Sequence, residues 1–367
     1  MPWIVEAKDP LIFGDGRIVG DVGGNASMNL PWPSTIAGMV RTLAGSDSQG
    51  HFDISKETIE RVKKISIKGP WITSLQSNSN YFVAPKDAVW NKLDNQIPSA
   101  TPKYRRTQLV PKKIDQNHLF DQSFPYQCMV SAIEDLPDGK TTSGPMFWSQ
   151  QELSTWLTAP SPKQDLDNSF GIQLLHHDQR IHVAIDASSK TAKDGQLFSS
   201  DSVIFYDVQR KEELAICLDC EDETFAKWNN KPCFLGGERR IAHLRRQANT
   251  FEIPQSLSEK LKDQDTIRVV LLTPAIFDEG STPKAIFGCT VIASIVGRPE
   301  VISGWDYEKR CPKPSRRLVP AGSIFWIDVS KLTDKSAWIS QNWFTSCSSA
   351  EQDQCDGFGI CVMGVTS

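Results

Sequence analysis

The sequence predicts an α+β protein of two domains, and three observations carry that prediction. The chain has 367 residues, more than a single hydrophobic core usually serves. Its apolar residues fall into many short runs of strand character, separated by turn-forming residues. Helical periodicity appears at only a few places and never alternates regularly with strands, so a doubly wound parallel sheet is not expected.

The elements follow in order. PWIVEA, at residues 2–7, reads as a short strand. After a long loop, LPWPSTIAGMVRTLAG reads as a helix. Pro31 and Pro33 cannot continue a helix, and Ser34 suits its N-cap. Ile36, Met39, Val40 and Leu43 recur at i, i+3, i+4 and i+7, and Gly45 suits the C-terminal cap. Residues 71 to about 165 hold many Pro, Asn, Ser, Asp and Lys. They are expected to form a loop-rich insertion with one helix near MFWSQQELSTWL (146–157).

From residue 180 onward strands dominate. RIHVAID (180–186), SVIFYDV (202–208) and LAICLD (214–219) come first, and DETFAKW (222–228) is expected to be a short helix. IRVVLLTPAIF (267–277), AIFGCTVIASIVG (285–297), SIFWIDV (323–329) and FGICVMGV complete the series. The runs 269–272 and 286–296 are continuous enough to be buried on both faces. The acidic string Asp219, Glu221, Asp222 and Glu223 interrupts the strands. It sets the expected boundary between a first domain, 1–220, and a second, 221–367.

Composition narrows the functional classes. With 39% hydrophobic and 23% charged residues, the chain is not intrinsically disordered. A net charge of −4 argues against a general nucleic-acid binder unless positive charge is gathered locally. No run approaches the roughly 18 apolar residues of a membrane span. The first ten residues carry charges and no apolar core, unlike a signal peptide. Nine scattered cysteines fit reduced thiols, so a cytoplasmic protein is expected.

Positive charge is indeed gathered. LGGERRIAHLRRQ (235–247) joins Gly236 and Gly237 to Arg239, Arg240, Arg245 and Arg246. Guanidinium groups bind phosphate bidentately, and glycine lets main-chain N–H groups join them. KRCPKPSRR carries Lys309, Arg310, Lys313, Arg316 and Arg317, and KYRRTQLVPKK carries Lys103, Arg105, Arg106, Lys112 and Lys113. Each stretch suits either a polyanion or a solvated face whose arginines pair with local acids.

The last twelve residues, DGFGICVMGVTS, contain Gly357, Gly359 and Gly364. The spacing is neither the dinucleotide fingerprint nor a P-loop, and both need a helix after the glycines. That leaves a turn feeding the last strand, or a backbone that meets a phosphate. Cys217, Cys220, Cys233 and His243 form a loose zinc-like set, but the strand pattern around Cys217 favours buried thiols. His182, within RIHVAID, is compatible with acid–base chemistry on RNA or with a structural place. Neither a Ser–His–Asp order nor an HExxH motif occurs, so no catalytic set, metal or cofactor is expected.

Several of these segments fit one pattern together. KDPLIFGDGR (8–17), LPWPSTIAGMVRT (30–42), HVAIDASSKTAKDGQLF (182–198), FLGGERR (234–240), RRLVPAGSIFWI (316–327) and the late GFG resemble the Cmr subunit three family. These are RAMP-superfamily subunits of type III-B CRISPR effector complexes. The matches keep the family's order and span nearly the whole chain, leaving out 71–165. The resemblance implies two ferredoxin-like (RRM-like) domains, the first carrying the insertion. It also implies a non-catalytic subunit that binds the 5′ tag of crRNA beside the large polymerase-like subunit, with target cleavage left to neighbouring RAMP backbone subunits.

The residues then expected at RNA are Gly236, Gly237, Arg239 and Arg240 of FLGGERR, Lys190 and Thr191 of the KTAKDGQLF segment, Arg316 and Arg317, and Gly357, Phe358 and Gly359. Phe198 or Trp32 would supply a surface for splayed bases. Two other readings stand beside this one. One is a metal-independent RAMP-type endonuclease that processes CRISPR precursor RNA with His182. The other is a purely structural subunit docked through the acidic segment 219–223.

Overall fold

The computed structural model describes residues 2–14, 30–93, 104–114, 125–133, 140–161, 163–166, 170–247, 251–306 and 310–366. Strands outnumber helices throughout, and the chain is α+β as expected. It forms two compact units, each assembled from three stretches: 1–78, 175–248 and 301–317 in the first, and 79–174, 249–300 and 318–367 in the second. This differs from a single boundary near 220. The strand Glu212–Cys220 lies inside the sheet of the first unit, paired on one side with Pro2–Ala7 and on the other with Ile67–Ser74. A cut there would divide one core.

The main sheet of the first unit runs in the order Ile67–Ser74, Glu212–Cys220, Pro2–Ala7, Ile241–Arg246, Lys231–Phe234, with every pairing antiparallel. Between its first two strands in sequence come the helix α1, Pro33–Ala44, and a second helix, Lys56–Lys63. α1 buries Ile36, Met39 and Val40, as its periodicity dictates. Its cap differs from the expectation. Pro33 occupies the first turn, where a missing N–H costs nothing, so Trp32 becomes the N-cap and Ser34 falls inside the helix. At the other end the Gly45 N–H donates to the Arg41 carbonyl and the Ser46 N–H to that of Leu43. The short helix Glu223–Ala226 sits on the α1 side: Phe225 lies 4.6 Å from the Trp3 ring, and Trp228 Nε1 donates to the Leu43 carbonyl at 2.7 Å.

In the second unit a six-stranded sheet runs Ala285–Ile286, Cys289–Ile295, Ile324–Asp328, Thr266–Leu271, Ile360–Val365, Thr345–Ser346. Val269–Leu272 are all buried, as expected of a central strand. The run 286–296 instead alternates buried with partly or fully exposed positions as far as Ala293, because only a two-residue strand lies beyond it at that edge. The two units share a permutation. Taking the four long strands of each in chain order, they stand second, third, first, fourth across the sheet.

Residues 79–165 are not an insertion into the first unit. They supply the second unit with the strands Asn80–Val83, Ala88–Lys92, Tyr104–Lys113, Cys128–Ala132 and Phe147–Ser149, and with the expected helix, Gln150–Thr158. Arg106, expected in a basic surface loop, is 1% exposed. Its guanidinium carbon lies 4.5–5.7 Å from the rings of Trp90, Trp148, Trp156 and Phe170, and its nitrogens donate to Glu152 at 2.6 Å and Gln164 at 2.9 Å. Arg105 is held by both carboxylate oxygens of Asp165. These two arginines serve the core and a strand pair. Among the described residues, no helix is long and apolar enough to cross a membrane.

Candidate nucleic-acid interface

Three segments distant in sequence close around one pocket of 540 Å3 in the first unit. Ile12, Phe13 and Gly14 form one wall, a face of α1 carrying Thr35, Gly38, Met39 and Thr42 forms another, and Phe234 to Gly237 form the third. They belong to KDPLIFGDGR, LPWPSTIAGMVRT and FLGGERR. The turn at Gly236 fixes this closure. Gly236 has φ 81° and ψ −164°, a region open essentially to glycine alone. A Cβ there would lie 2.4 Å from the Ile12 carbonyl oxygen, and the next N–H, of Gly237, donates to that same oxygen at 2.8 Å. Gly236 thus lets two backbones meet, and the Gly237 N–H, expected to face a phosphate, is taken by the Ile12 carbonyl.

The turn then places its charge. Glu238 and Arg239 both adopt left-handed backbone, with φ 56° and 53°. Each costs about 1–2 kcal/mol for an L-residue. Arg240 pairs with Glu238 at 2.8 Å, and the Leu235 N–H donates to the Arg240 carbonyl, so the turn is closed on itself. Arg239 is exposed, and its guanidinium lies 4.6 Å from the Phe234 ring. Phe234 is itself 52% exposed and lines the pocket. Of the two arginines, Arg240 is engaged by a neighbouring acid and Arg239 presents a flat cation to solvent beside Phe234, which lines the pocket.

Lys190 and Thr191 lie at the tip of a long hairpin, His176–Ile185 with Ala192–Ile204, also in the first unit. Both are exposed. The tip is ordered by Asp186, whose carboxylate accepts from the N–H groups of Ser188 and Ser189. The hydrogen bond from the Ser188 hydroxyl, with those two N–H groups, holds its pKa down at about 2. Further along, His182 pairs with Phe198 across the hairpin, the rings stacked at 5.2 Å and 16°. His182 Nε2 shares a hydrogen bond of 2.8 Å with Ser200 Oγ. Phe198 is 55% exposed, whereas Trp32 is 5% exposed. Of the two expected stacking surfaces, the structure leaves Phe198 accessible and puts Trp32 in the core. Arg316 and Arg317 open the strand Arg316–Leu318 and are exposed.

The terminal glycines lie elsewhere, in the second unit, and are buried. Gly357, with φ 90°, caps the helix Glu351–Asp356, and Phe358 is 0% exposed. The three N–H groups of Gly357, Phe358 and Gly359 donate to the carbonyls of Gln354, Asp353 and Pro274. This is the turn into the last strand. Cys217, Cys220 and Cys233 are buried free thiols, with burial pushing Cys220 up to about 11 and Cys233 up to about 12. Lys103, Lys309 and residues 15–17 lie outside the described residues.

Sequence reasoning missed Thr35, Gly38, Thr42 and Phe13 as parts of the pocket. One signal was present: a glycine in the middle of a helix with an apolar stripe, where glycine is disfavoured.

The fold and its assembled motifs belong to the CRISPR-associated proteins: the family described as CRISPR-associated protein (Cas_Cmr3) matches residues 3–366. The CRISPR system CMR subunit Cmr3 of Saccharolobus solfataricus is 22% identical over 266 residues, spanning 70% of this chain and 66% of that relative. The chain belongs to the Cmr3 family. Among solved structures, a chain of the Type III-B Cmr-beta bound to cognate target RNA aligns over 98% of this chain and 96% of its own, with a TM-score of 0.52 and 15% identity. A chain from the Type III-B Cmr-beta bound to cognate target RNA and AMPPnP aligns over 89% and 86%, with a TM-score of 0.50 and 17% identity. These likenesses establish a shared fold.

Proposed function

We propose that this chain is a non-catalytic, crRNA-binding subunit of a type III-B CRISPR effector complex, holding the 5′ tag and docking to the large polymerase-like subunit beside RAMP backbone subunits. The observation that carries the proposal is the convergence of three separated segments on one pocket, with exposed Arg239 against Phe234 of its lining. Single-stranded RNA needs cations for its phosphates and flat or apolar surfaces for its bases. The strained glycine turn with Arg239 supplies the first. The hairpin bearing Phe198, Lys190 and Thr191 supplies the second, and exposed Arg316 and Arg317 add charge. Relatives of the same fold that occur in Cmr complexes with target RNA support the setting.

The second–third–first–fourth strand order, antiparallel throughout, is that of a ferredoxin-like sheet, and we read both units as such domains. His182 is spent on Phe198 and Ser200, which favours a place in a stacking surface over general acid–base work. A net charge of −4 is compatible with RNA binding because the cations are local and neighbouring subunits share the guide.

Photo-crosslinking of a reconstituted complex tests the reading. Probes in the crRNA 5′ tag are expected to mark residues 234–240 and 182–198. Crosslinks confined to the 3′ end of the guide would overturn it.

A further inference from the structure

The second unit repeats the device by which Gly236 meets Ile12. Gly322 has φ 80°, and a Cβ there would lie 2.4 Å from the Ala84 carbonyl oxygen. The Lys86 N–H donates to the Gly322 carbonyl at 2.8 Å, fastening the two stretches of backbone together. The following residue fastens the other side: Asp87 is 0% exposed and accepts from Trp156 Nε1 at 2.9 Å and from Arg268. Lys86 therefore stands on backbone held at both neighbours, and its side chain is guided as well. A Cβ on Gly297 would lie 2.7 Å from Lys86 Cε, 3.1 Å from Nζ and 2.9 Å from Pro320 Cγ. The lysine stem crosses a glycine whose missing side chain leaves room for it.

This placement has no internal use. Among the described residues, no carboxylate pairs with the Lys86 ammonium and no acceptor takes its hydrogen bonds. Glu300 is acted on by its charge, but burial pushes that carboxyl up, which weakens it as a counter-ion. Ordering a lysine side chain costs about 1.5–2 kcal/mol of rotamer freedom, and no contact within the described chain offsets that for the ammonium.

We propose that Lys86 is a docking cation, which pairs with a carboxylate on a neighbouring protein subunit. Its surroundings favour protein over RNA. The segments 83–86, 296–300 and 320–322 hold no aromatic residue, so no ring is at hand to stack a base, unlike Phe234 and Phe198 in the first unit. Val83 and Val296 are half-buried and Pro299 is exposed, apolar neighbours of the kind that keep water from an interfacial charge pair. The inference rests on the reading of this chain as a subunit of an effector complex, yet it fails separately from it.

The experiment is zero-length carbodiimide crosslinking of the assembled complex, which joins an ammonium to a carboxylate only where the two touch. The Lys86 peptide is expected to be joined to an aspartate or glutamate of another subunit. In parallel, Lys86→Met keeps the stem and removes the charge. Its affinity for the complex lacking this chain is expected to fall about 10-fold, the scale of one close interfacial charge pair, and to depend less on salt. Its unfolding midpoint and its affinity for crRNA should stay as in wild type. Lys86→Arg, which keeps the charge, should assemble as wild type and separates loss of the cation from loss of the fold.

A Lys86 with no intersubunit crosslink, or joined only to Glu300 of its own chain, overturns the docking cation and leaves the subunit reading standing. Unchanged assembly of Lys86→Met does the same. A fall in crRNA affinity with assembly intact assigns the cation to RNA, and the proposal is then wrong. Failure of the wild-type chain to enter any complex overturns both.

Discussion

Gly236 and Gly237 are adjacent and chemically identical, yet the structure assigns them opposite tolerance. Gly236→Ala forces an L-residue into a backbone region that costs about 1–3 kcal/mol. It also sets a methyl group 2.4 Å from the Ile12 carbonyl oxygen, far inside van der Waals range. The clash is with backbone, so the turn must move away. Doing so sacrifices the 2.8 Å hydrogen bond from Gly237 to Ile12, a bond contributing about 1 kcal/mol. The expected destabilisation is about 2–4 kcal/mol.

Gly237→Ala meets Ile12 at ordinary separations, its side chain at 3.4 Å and its carbonyl oxygen at 3.7 Å, and should change stability by no more than about 0.5 kcal/mol. Urea denaturation of the two variants reads the difference, and crRNA binding reads its consequence. The Gly236 variant should lose affinity because Arg239 and the pocket wall shift with the turn, while the Gly237 variant keeps it. Equal stabilities, or equal loss of RNA binding, would refute the claim that this turn is held against Ile12.

Arg239→Ala is expected to weaken crRNA binding about 10-fold and to flatten the dependence of log affinity on log salt by about 0.7, the change for neutralising one fewer phosphate of a single strand; filter binding across a salt series measures both. Phe198→Ala should lower RNA affinity with no change in the unfolding midpoint, since the ring is more than half exposed. Arg106→Ala should cost about 3 kcal/mol or more, because it empties an aromatic cage and strands Glu152; Arg106→Met, which keeps the volume, should cost less in the same denaturation series. Cys220 and Cys233 hold their protons more tightly folded than unfolded, so their contribution to stability is complete below about pH 8.5 and fades as pH rises towards about 11 and about 12. Accordingly, native-state thiol labelling near pH 8 should modify Cys311, Cys347 and Cys355 before any of the buried six.

What the sequence disclosed, and what it withheld, follows from the range of the interactions. α1 was legible because its apolar spacing and its Pro33 and Gly45 ends are all local. The turn into the last strand was legible for the same reason, in the close spacing of Gly357 and Gly359 ahead of an apolar run. The two-unit division was not legible, because Trp3 faces Leu218 on one side and Arg246 on the other, pairings that leave no mark in nearby residues. Arg106 was misplaced because a basic pair in a polar stretch resembles a surface loop; only the rings that surround it, at positions 90, 148, 156 and 170, reveal its burial. In the site, the glycines and arginines of FLGGERR stood out by composition. Which arginine would be paired depended on Glu238 folding back, a consequence of two successive left-handed residues.

The interleaving of the two units bears on how the protein is made. A chain that visits each unit three times cannot finish one before starting the other. The strand Pro2–Ala7 needs Glu212–Cys220 and Ile241–Arg246 as partners, and both emerge more than 200 residues later. At about 5–20 residues per second, synthesis leaves that first strand waiting on the order of 10–40 seconds with its edges unpaired. Neither unit is available as a continuous fragment, so a truncated product should be left without a core instead of with half a protein. A nonsense mutation even close to residue 360 would remove the strand Ile360–Val365, which pairs with Thr266–Leu271 inside the second sheet.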